Sequence, residues 1–283
     1  MNDTTTNKVS IPKIDIHCHT TPRKLKDVIP ESATLDAIRE KMEEYGIERT
    51  VVLASYFPHK GSGISNYRLW NWIRDRPEFA MFGSLDTEHY FQQGYNELEE
   101  LADAGRLSGI KIYTCYQNID LSSEKMGSVG KLAEKFHLPL MFHVGYSYSS
   151  MRTTGEISIA NLIKPSDVGL FAEKYSTVPV IIAHMGEPFL DELHEVINKH
   201  PNVYTETSGL IDSKFGQEER ETTVLEIRQY LEKCGTDKLL FGTDFPVQTH
   251  EDSLYMLEKA LEGYSEKDKK DIYYNNARRV LKW

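Results

Sequence analysis

The chain has 283 residues, 40% of them apolar, and a formal net charge of −10. That length suits one α/β barrel, and the apolar fraction suffices for a sizeable core. The acidic balance offers no basic face to nucleic acid or an anionic membrane, and no apolar run approaches spanning length, so neither is expected as a partner. Residues 1–10 are polar and lack an apolar stretch of the secretory kind. The three cysteines, Cys18, Cys115 and Cys234, form no C-x-x-C pair, which fits reduced thiols in a cytoplasm.

Taken in order, the chain repeats one unit. Ile14-Asp15-Ile16-His17-Cys18-His19 reads as a first strand after a short extension, residues 1–12. Regular alternation predicts that His17 and His19 share a face, with Ile14, Ile16 and Cys18 on the other. A loop over 20–30 follows, and Ser32 or Thr34 then caps a helix with Leu35, Ile38, Met42 and Tyr45 at helical spacing, ended by Gly46. Strand 50–54 comes next. Helix 66–76 stops at Pro77 before strand 79–85, and helix 93–104 stops at Gly105 before strand 109–113. Helix 125–136 leads to strand 140–144, and a longer loop and helix 165–175 lead to strand 178–184. A helix ending near His200 precedes strand 202–207, and helix 219–234 precedes strand 239–244. Eight continuous apolar strands alternating with helices predict a parallel sheet closed into a single-domain (β/α)8 TIM barrel over residues 1–283. An open doubly wound sheet is the rival, but no glycine-rich nucleotide turn follows the first strand.

Active sites of such barrels gather at the C-terminal strand ends. His17 and His19 end the first strand, His143 the fifth, His184 the sixth and Asp244 the eighth. Singly, each has an ordinary explanation: a satisfied core histidine, or an aspartate capping a turn. Together, imidazoles and a carboxylate with room for an open position suit a divalent metal such as zinc.

These residues carry a resemblance. With the words Ile-Asp-Ile-His-Cys-His, Ile-Ala-His-Met-Gly and Leu-Leu-Phe-Gly-Thr-Asp-Phe-Pro, and the tail from Asn276 to Leu281, the chain resembles the amidohydrolase superfamily. The match is to its amidohydrolase-related (amidohydrolase 2) branch of metal-dependent hydrolases and aminocarboxymuconate-semialdehyde-type decarboxylases. The resemblance implies one zinc held by His17, His19, His143 and Asp244, with His184 beside the attacking water. In its two-metal form a carboxylated lysine on strand four bridges the ions, and Lys111 occupies that strand here. Alternation turns Lys111 and Tyr113 to one face, where an ammonium must be paired, neutral or modified. Asp15 or a substrate carboxylate is a candidate partner, and a single metal with unmodified Lys111 is the preferred expectation.

A bound divalent ion lowers the pKa of its water from 15.7 to about 7. Asp244 is then expected to accept and return the proton, and His184 to orient the water or stabilise an oxyanion. In the mouth loops Arg152 could clamp a carboxylate, Tyr56 and His59 are comparable candidates, and Glu187 either supports the site or caps the next helix. Cys18 is assigned to packing. The expected function is hydrolysis of an amide, ester or lactone of a small molecule. Non-oxidative decarboxylation of a small unsaturated or aromatic acid is the alternative, and a silent ligand-binding barrel is a third reading that the intact ligand set disfavours. Substrate identity and homo-oligomerisation are left open.

Overall fold

The computed structural model describes residues 11–21, 32–56, 63–145, 162–211 and 216–283. Eight strands pair in sequence order and in parallel: β1 (Lys13–Cys18), β2 (Ile47–Leu53), β3 (Phe79–Ser84), β4 (Gly109–Ile112), β5 (Leu140–Phe142), β6 (Val180–Ile182), β7 (Val203–Glu206) and β8 (Leu239–Leu240). The intervening helices are α1 (Leu35–Tyr45), α2 (Asn66–Ile73), α3 (Phe91–Asp103), α4 (Glu124–Phe136), α5 (Pro165–Lys174), α6 (Leu190–Lys199) and α7 (Gln217–Cys234). After β8 come α8 (His250–Ala260), α9 (Glu266–Lys270) and α10 (Asn276–Leu281). This is the expected (β/α)8 barrel. Among the described residues no helix is long and apolar enough to cross a membrane.

Local signals set the helix ends. The Thr34 hydroxyl accepts the Ala37 amide at 3.2 Å and starts α1, and Gly46 in the left-handed region stops it. Such a cap contributes about 1 kcal/mol. The apolar side chains separate into two layers. Ile14, Ile16, Val51, Leu53, Phe82, Met141, Ile181 and Leu240 form the barrel interior, joined by Ala277, Val280 and Leu281 of α10. Arg49 lies over the Trp283 ring at 4.2 Å, so the C-terminal segment covers the barrel end where β2 begins. The outward strand faces pack with the helices in a larger cluster, and Cys18 belongs to it.

Strand β1 departs from the expected pleat. Its register against β2 shifts between Lys13 and Ile14 and again between Asp15 and Cys18. The second shift lets consecutive residues share a face. Ile14 and Ile16 therefore fill the barrel interior, on the same side as His17 and His19 and not opposite them. At the seam, the residues after β8 are joined back to β1 by backbone bonds from Ile16 N to Phe241 O (3.0 Å), Asp244 N to His17 O (2.7 Å) and His19 N to Phe245 O (2.7 Å).

Candidate active site

The seam is where the donors meet. His17 Nε2 and His19 Nε2 lie 3.3 and 3.2 Å from Asp244 Oδ1. Among the described residues, His17, His184 and Asp244 each bring one ligand atom to within 4.8 Å of the others. His184 in turn meets His143, Nε2 to Nδ1 at 3.1 Å, so His143 enters the cluster through His184. His17, His184 and Asp244 are buried, and His19 keeps 22% of its side chain exposed toward the mouth. Both His184 (φ 57°) and Asp244 (φ 57°) adopt the left-handed conformation, which costs a side-chain-bearing residue roughly 1–2 kcal/mol and must be enforced by surrounding bonds.

Much of that enforcement comes from a residue the sequence reading passed over, Glu206 at the end of β7. Its Oε1 accepts from His17 Nδ1 (3.0 Å), the His184 amide (3.0 Å) and the Ser208 hydroxyl (2.8 Å), and its Oε2 accepts from the Ser208 amide (2.6 Å). Ser208 Oγ sits 2.8 Å from His17 Nδ1 and 3.1 Å from His184 Nδ1, and the Ser208 carbonyl is 2.9 Å from His184 Nδ1. With acceptors around both Nδ1 atoms, each ring carries its proton there. His17 thus turns its Nε2 lone pair toward Asp244, and His184 turns its own toward His143.

The charges follow from this packing. Burial pushes the Glu206 carboxyl up, but the charge and hydrogen bond of His17, then His184 and Lys111, outweigh it and hold it at about 2. For Asp244 burial is likewise outweighed, by His17 and His19, leaving it well below the usual carboxylate range. Burial and Lys111 press His17 down, yet Glu206 and Asp244 raise it overall. Burial lowers His19 despite its contact with Asp244. Burial, then His17, lowers His184 to about 4, so His184 is neutral at pH 7.

Lys111 stands in register with Met141 of the barrel interior and with Ser84, and is fully buried. Among the described residues its ammonium has no hydrogen-bond partner, and it lies 5.4 Å from the Tyr113 ring. Burial lowers its pKa to about 8, against the raising effect of Glu206 and Asp244. Asp15, a candidate partner from sequence, is not engaged with it: that carboxylate is occupied by Thr243 and the His17 amide. Tyr113 shares the inward face as expected, its hydroxyl 3.0 Å from the Ala54 carbonyl and its ring 6.3 Å from that of His19. Glu187 does not cap α6, whose N-cap is Phe189. Burial first, and the charge of Glu226 next, push the pKa of its half-buried carboxyl up to about 7. Tyr56 is tied to Glu97 and Gln93, 3.4 and 3.0 Å from its hydroxyl. Arg152 and His59 lie outside the described residues.

The donor set fits a divalent cation. An imidazole lone pair aimed at an ionised carboxylate is repulsive unless a positive charge lies between them, and the raised pKa of His17 is the same demand met by a proton. Neutral imidazoles and a carboxylate oxygen are the ligands such an ion takes.

Comparison with known proteins agrees in fold. A family model described as amidohydrolase matches residues 14–283. An amidohydrolase from Burkholderia multivorans superposes with a TM-score of 0.73 at 15% identity, covering 95% of this chain and 99% of its own. A second crystal form of that protein holds zinc. A probable 2-pyrone-4,6-dicarboxylic acid hydrolase from Acinetobacter baumannii, with citric acid bound, gives a TM-score of 0.68 at 14% identity, over 96% and 99% of the two chains. A dihydroxybenzoic acid decarboxylase from a Polaromonas species, with manganese and an inhibitor, gives 0.66 at 17%, over 96% and 97%. No curated protein matches the chain in sequence. At these identities the structural likeness is one of fold.

Proposed function

The chain belongs to the amidohydrolase family, and from that premise we propose that it is a metal-dependent hydrolase that cleaves an ester, lactone or amide bond in a small, carboxylate-bearing molecule. One observation carries the metal: the Nε2 atoms of His17 and His19 both close on Asp244 Oδ1 within 3.3 Å, with the His17 proton held on the far nitrogen by Glu206. His17, His19 and Asp244 would hold the ion, with the hydrogen-bonded pair His143 and His184 supplying the next donor. Zinc and manganese in structural neighbours support a divalent ion of that kind. Bound there, it supplies Lewis acidity that brings the pKa of water from 15.7 to about 7.

The chain's own groups then divide the work. Asp244 Oδ1 faces the histidines, while Oδ2 lies on the Gly209 side, where it can take the proton of an attacking water and pass it to the leaving group. His184 is neutral at pH 7, as an acceptor or orienting group requires, and the Ser208 carbonyl fixes its ring. The Lys111 ammonium, which makes no hydrogen bond among the described residues, supports a substrate carrying a negative charge, since a buried ammonium left without a hydrogen-bond acceptor is costly. The acids in the neighbours' enzyme names, a pyrone dicarboxylic acid and a dihydroxybenzoic acid, are in keeping with such a molecule.

Hydrolysis and decarboxylation differ in where solvent oxygen goes. A panel of carboxylated lactones, esters, amides and hydroxybenzoates, offered to zinc- or manganese-loaded protein in oxygen-18 water, separates them. One labelled oxygen per turnover without carbon dioxide is the expected result. Carbon dioxide release with unlabelled product overturns the hydrolase reading in favour of a decarboxylase.

A further inference from the structure

One buried carboxylate plays no part in the chemistry just described. Asp15 is fully buried, two residues before His17 and on the helix side of β1. Its Oδ1 accepts from the His17 amide (3.0 Å) and the Thr243 amide (3.1 Å), and its Oδ2 accepts from the Thr243 hydroxyl (2.6 Å). The Thr243 hydroxyl, having donated to Asp15, accepts from the Phe245 amide at 3.1 Å. Asp244 is therefore flanked by Thr243, bonded directly to that carboxylate, and by Phe245, tied to it through the Thr243 hydroxyl. His250 of α8 closes the group from behind, its Nε2 4.0 Å from Asp15 Oδ2 and its ring between those of Tyr45 (5.9 Å) and Phe245 (4.8 Å).

We propose that Asp15 is a positioning residue for the metal centre, clamping β1 to the turn after β8 through Thr243 so that His17 and Asp244 point at one ion. This rests on the metal reading above. Two features say that something other than sheet pairing must set these directions. The β1–β2 register slips between Asp15 and Cys18, so the ladder does not fix where His17 points. Asp244 has φ 57°, a conformation its own backbone disfavours and its neighbours must impose. The Asp15 carboxylate bonds on both sides of that gap, to His17 on β1 and to Thr243 in the turn after β8. A carboxylate suits the task because it accepts three donors at once in a site closed to water.

The test measures metal affinity, not turnover. Zinc and manganese dissociation constants are obtained by competition with a chromophoric chelator for the wild type, Thr243→Val, Thr243→Ser and Asp15→Asn. Circular dichroism and thermal melting of the metal-free proteins run alongside. Thr243→Val keeps the side-chain volume and loses the hydroxyl, and its affinity is expected to fall about 10–100-fold, the usual effect of losing a group that orients a ligand. Thr243→Ser restores the hydroxyl and should bind within a few-fold of the wild type. Asp15→Asn should weaken binding like Thr243→Val, and combining the two should add little, because both break the Asp15–Thr243 bond. If Asp15→Asn does not fold, the Val and Ser pair decides alone. Equal metal affinity in Thr243→Val and the wild type, with only the melting temperature lowered, overturns the proposal and leaves Asp15 a fold-closing residue. A wild type that binds neither ion overturns the metal reading itself, and this inference with it.

Discussion

Glu206→Gln tests how far one carboxylate holds the site. Glutamine keeps the shape and one acceptor, but its amide nitrogen then meets either the Ser208 amide at 2.6 Å or the His17 and His184 donors at 3.0 Å, donor against donor. The charge that balances His17 and Lys111 is lost as well. The magnitude follows from the pKa of about 2 against an ordinary value of 4.5. A fall of that size corresponds to about 3 kcal/mol, similar to the roughly 3–5 kcal/mol typical of breaking a buried ion pair. Because the folded pKa is depressed, this stabilisation is present above pH 4.5 and lost as pH falls toward 2, with roughly 1 kcal/mol gone by about pH 3.5. Urea denaturation of metal-free wild type and Glu206→Gln at several pH values reads the difference directly. It should be near 3 kcal/mol at pH 7 and shrink in acid. A difference below about 0.5 kcal/mol at pH 7, the level of an ordinary surface change, or one independent of pH, refutes the assignment of Glu206 as the charged anchor.

Two further outcomes are expected. Gly209 has φ +64°, and a Cβ there would lie 2.8 Å from His184 Nδ1 and 2.9 Å from Asp244 Oδ2, so Gly209→Ala should abolish metal binding without replacing any ligand; isothermal titration with zinc checks it. Glu187, with its pKa raised to about 7, contributes stability that is fully present below pH 4.5 and lost as pH rises through 7, so Glu187→Gln should match the wild type in melting temperature near pH 4.5 and exceed it at pH 8, by about 1–3 kcal/mol in stability.

The fold was legible because most strands are short apolar runs, each with a helix before the next, and a closed barrel is the packing that buries them. The ligand candidates were legible for a related reason: barrel chemistry sits at strand ends, and His143, His184 and Asp244 interrupt apolar strands there. Glu206 was hidden because Val-Tyr-Thr-Glu-Thr reads as a half-exposed strand running into a polar loop. Only its place at the end of strand seven, level with the other candidates, could have marked it. The faces of β1 were misread for a different reason. Alternation assumes an unbroken pleat, and the shift between Asp15 and Cys18 leaves no mark in composition. The same break hid the role of Asp15, whose partner lies 228 residues away.

The seam explains why the donors converge at all. Elsewhere in the sheet, strand ladders set each side chain's direction, but β8 is two residues long and pairs in register only with β7. The junction with β1 is made by the tail after β8, where the Asp244 amide donates to the His17 carbonyl at 2.7 Å. Residues joined in that way have their Cα atoms close, so side chains leaving toward the barrel mouth can meet at one centre. Two residues further on, the His19 amide donates to the Phe245 carbonyl at 2.7 Å and brings the third donor to the same place. A slip of one residue at this junction would put Thr243 or Phe245 opposite His17 and leave no carboxylate there. The register of the seam is therefore the register of the candidate metal ligands, and the bonds of Asp15 and Glu206 on either side of it act to hold that register against the strain at Asp244.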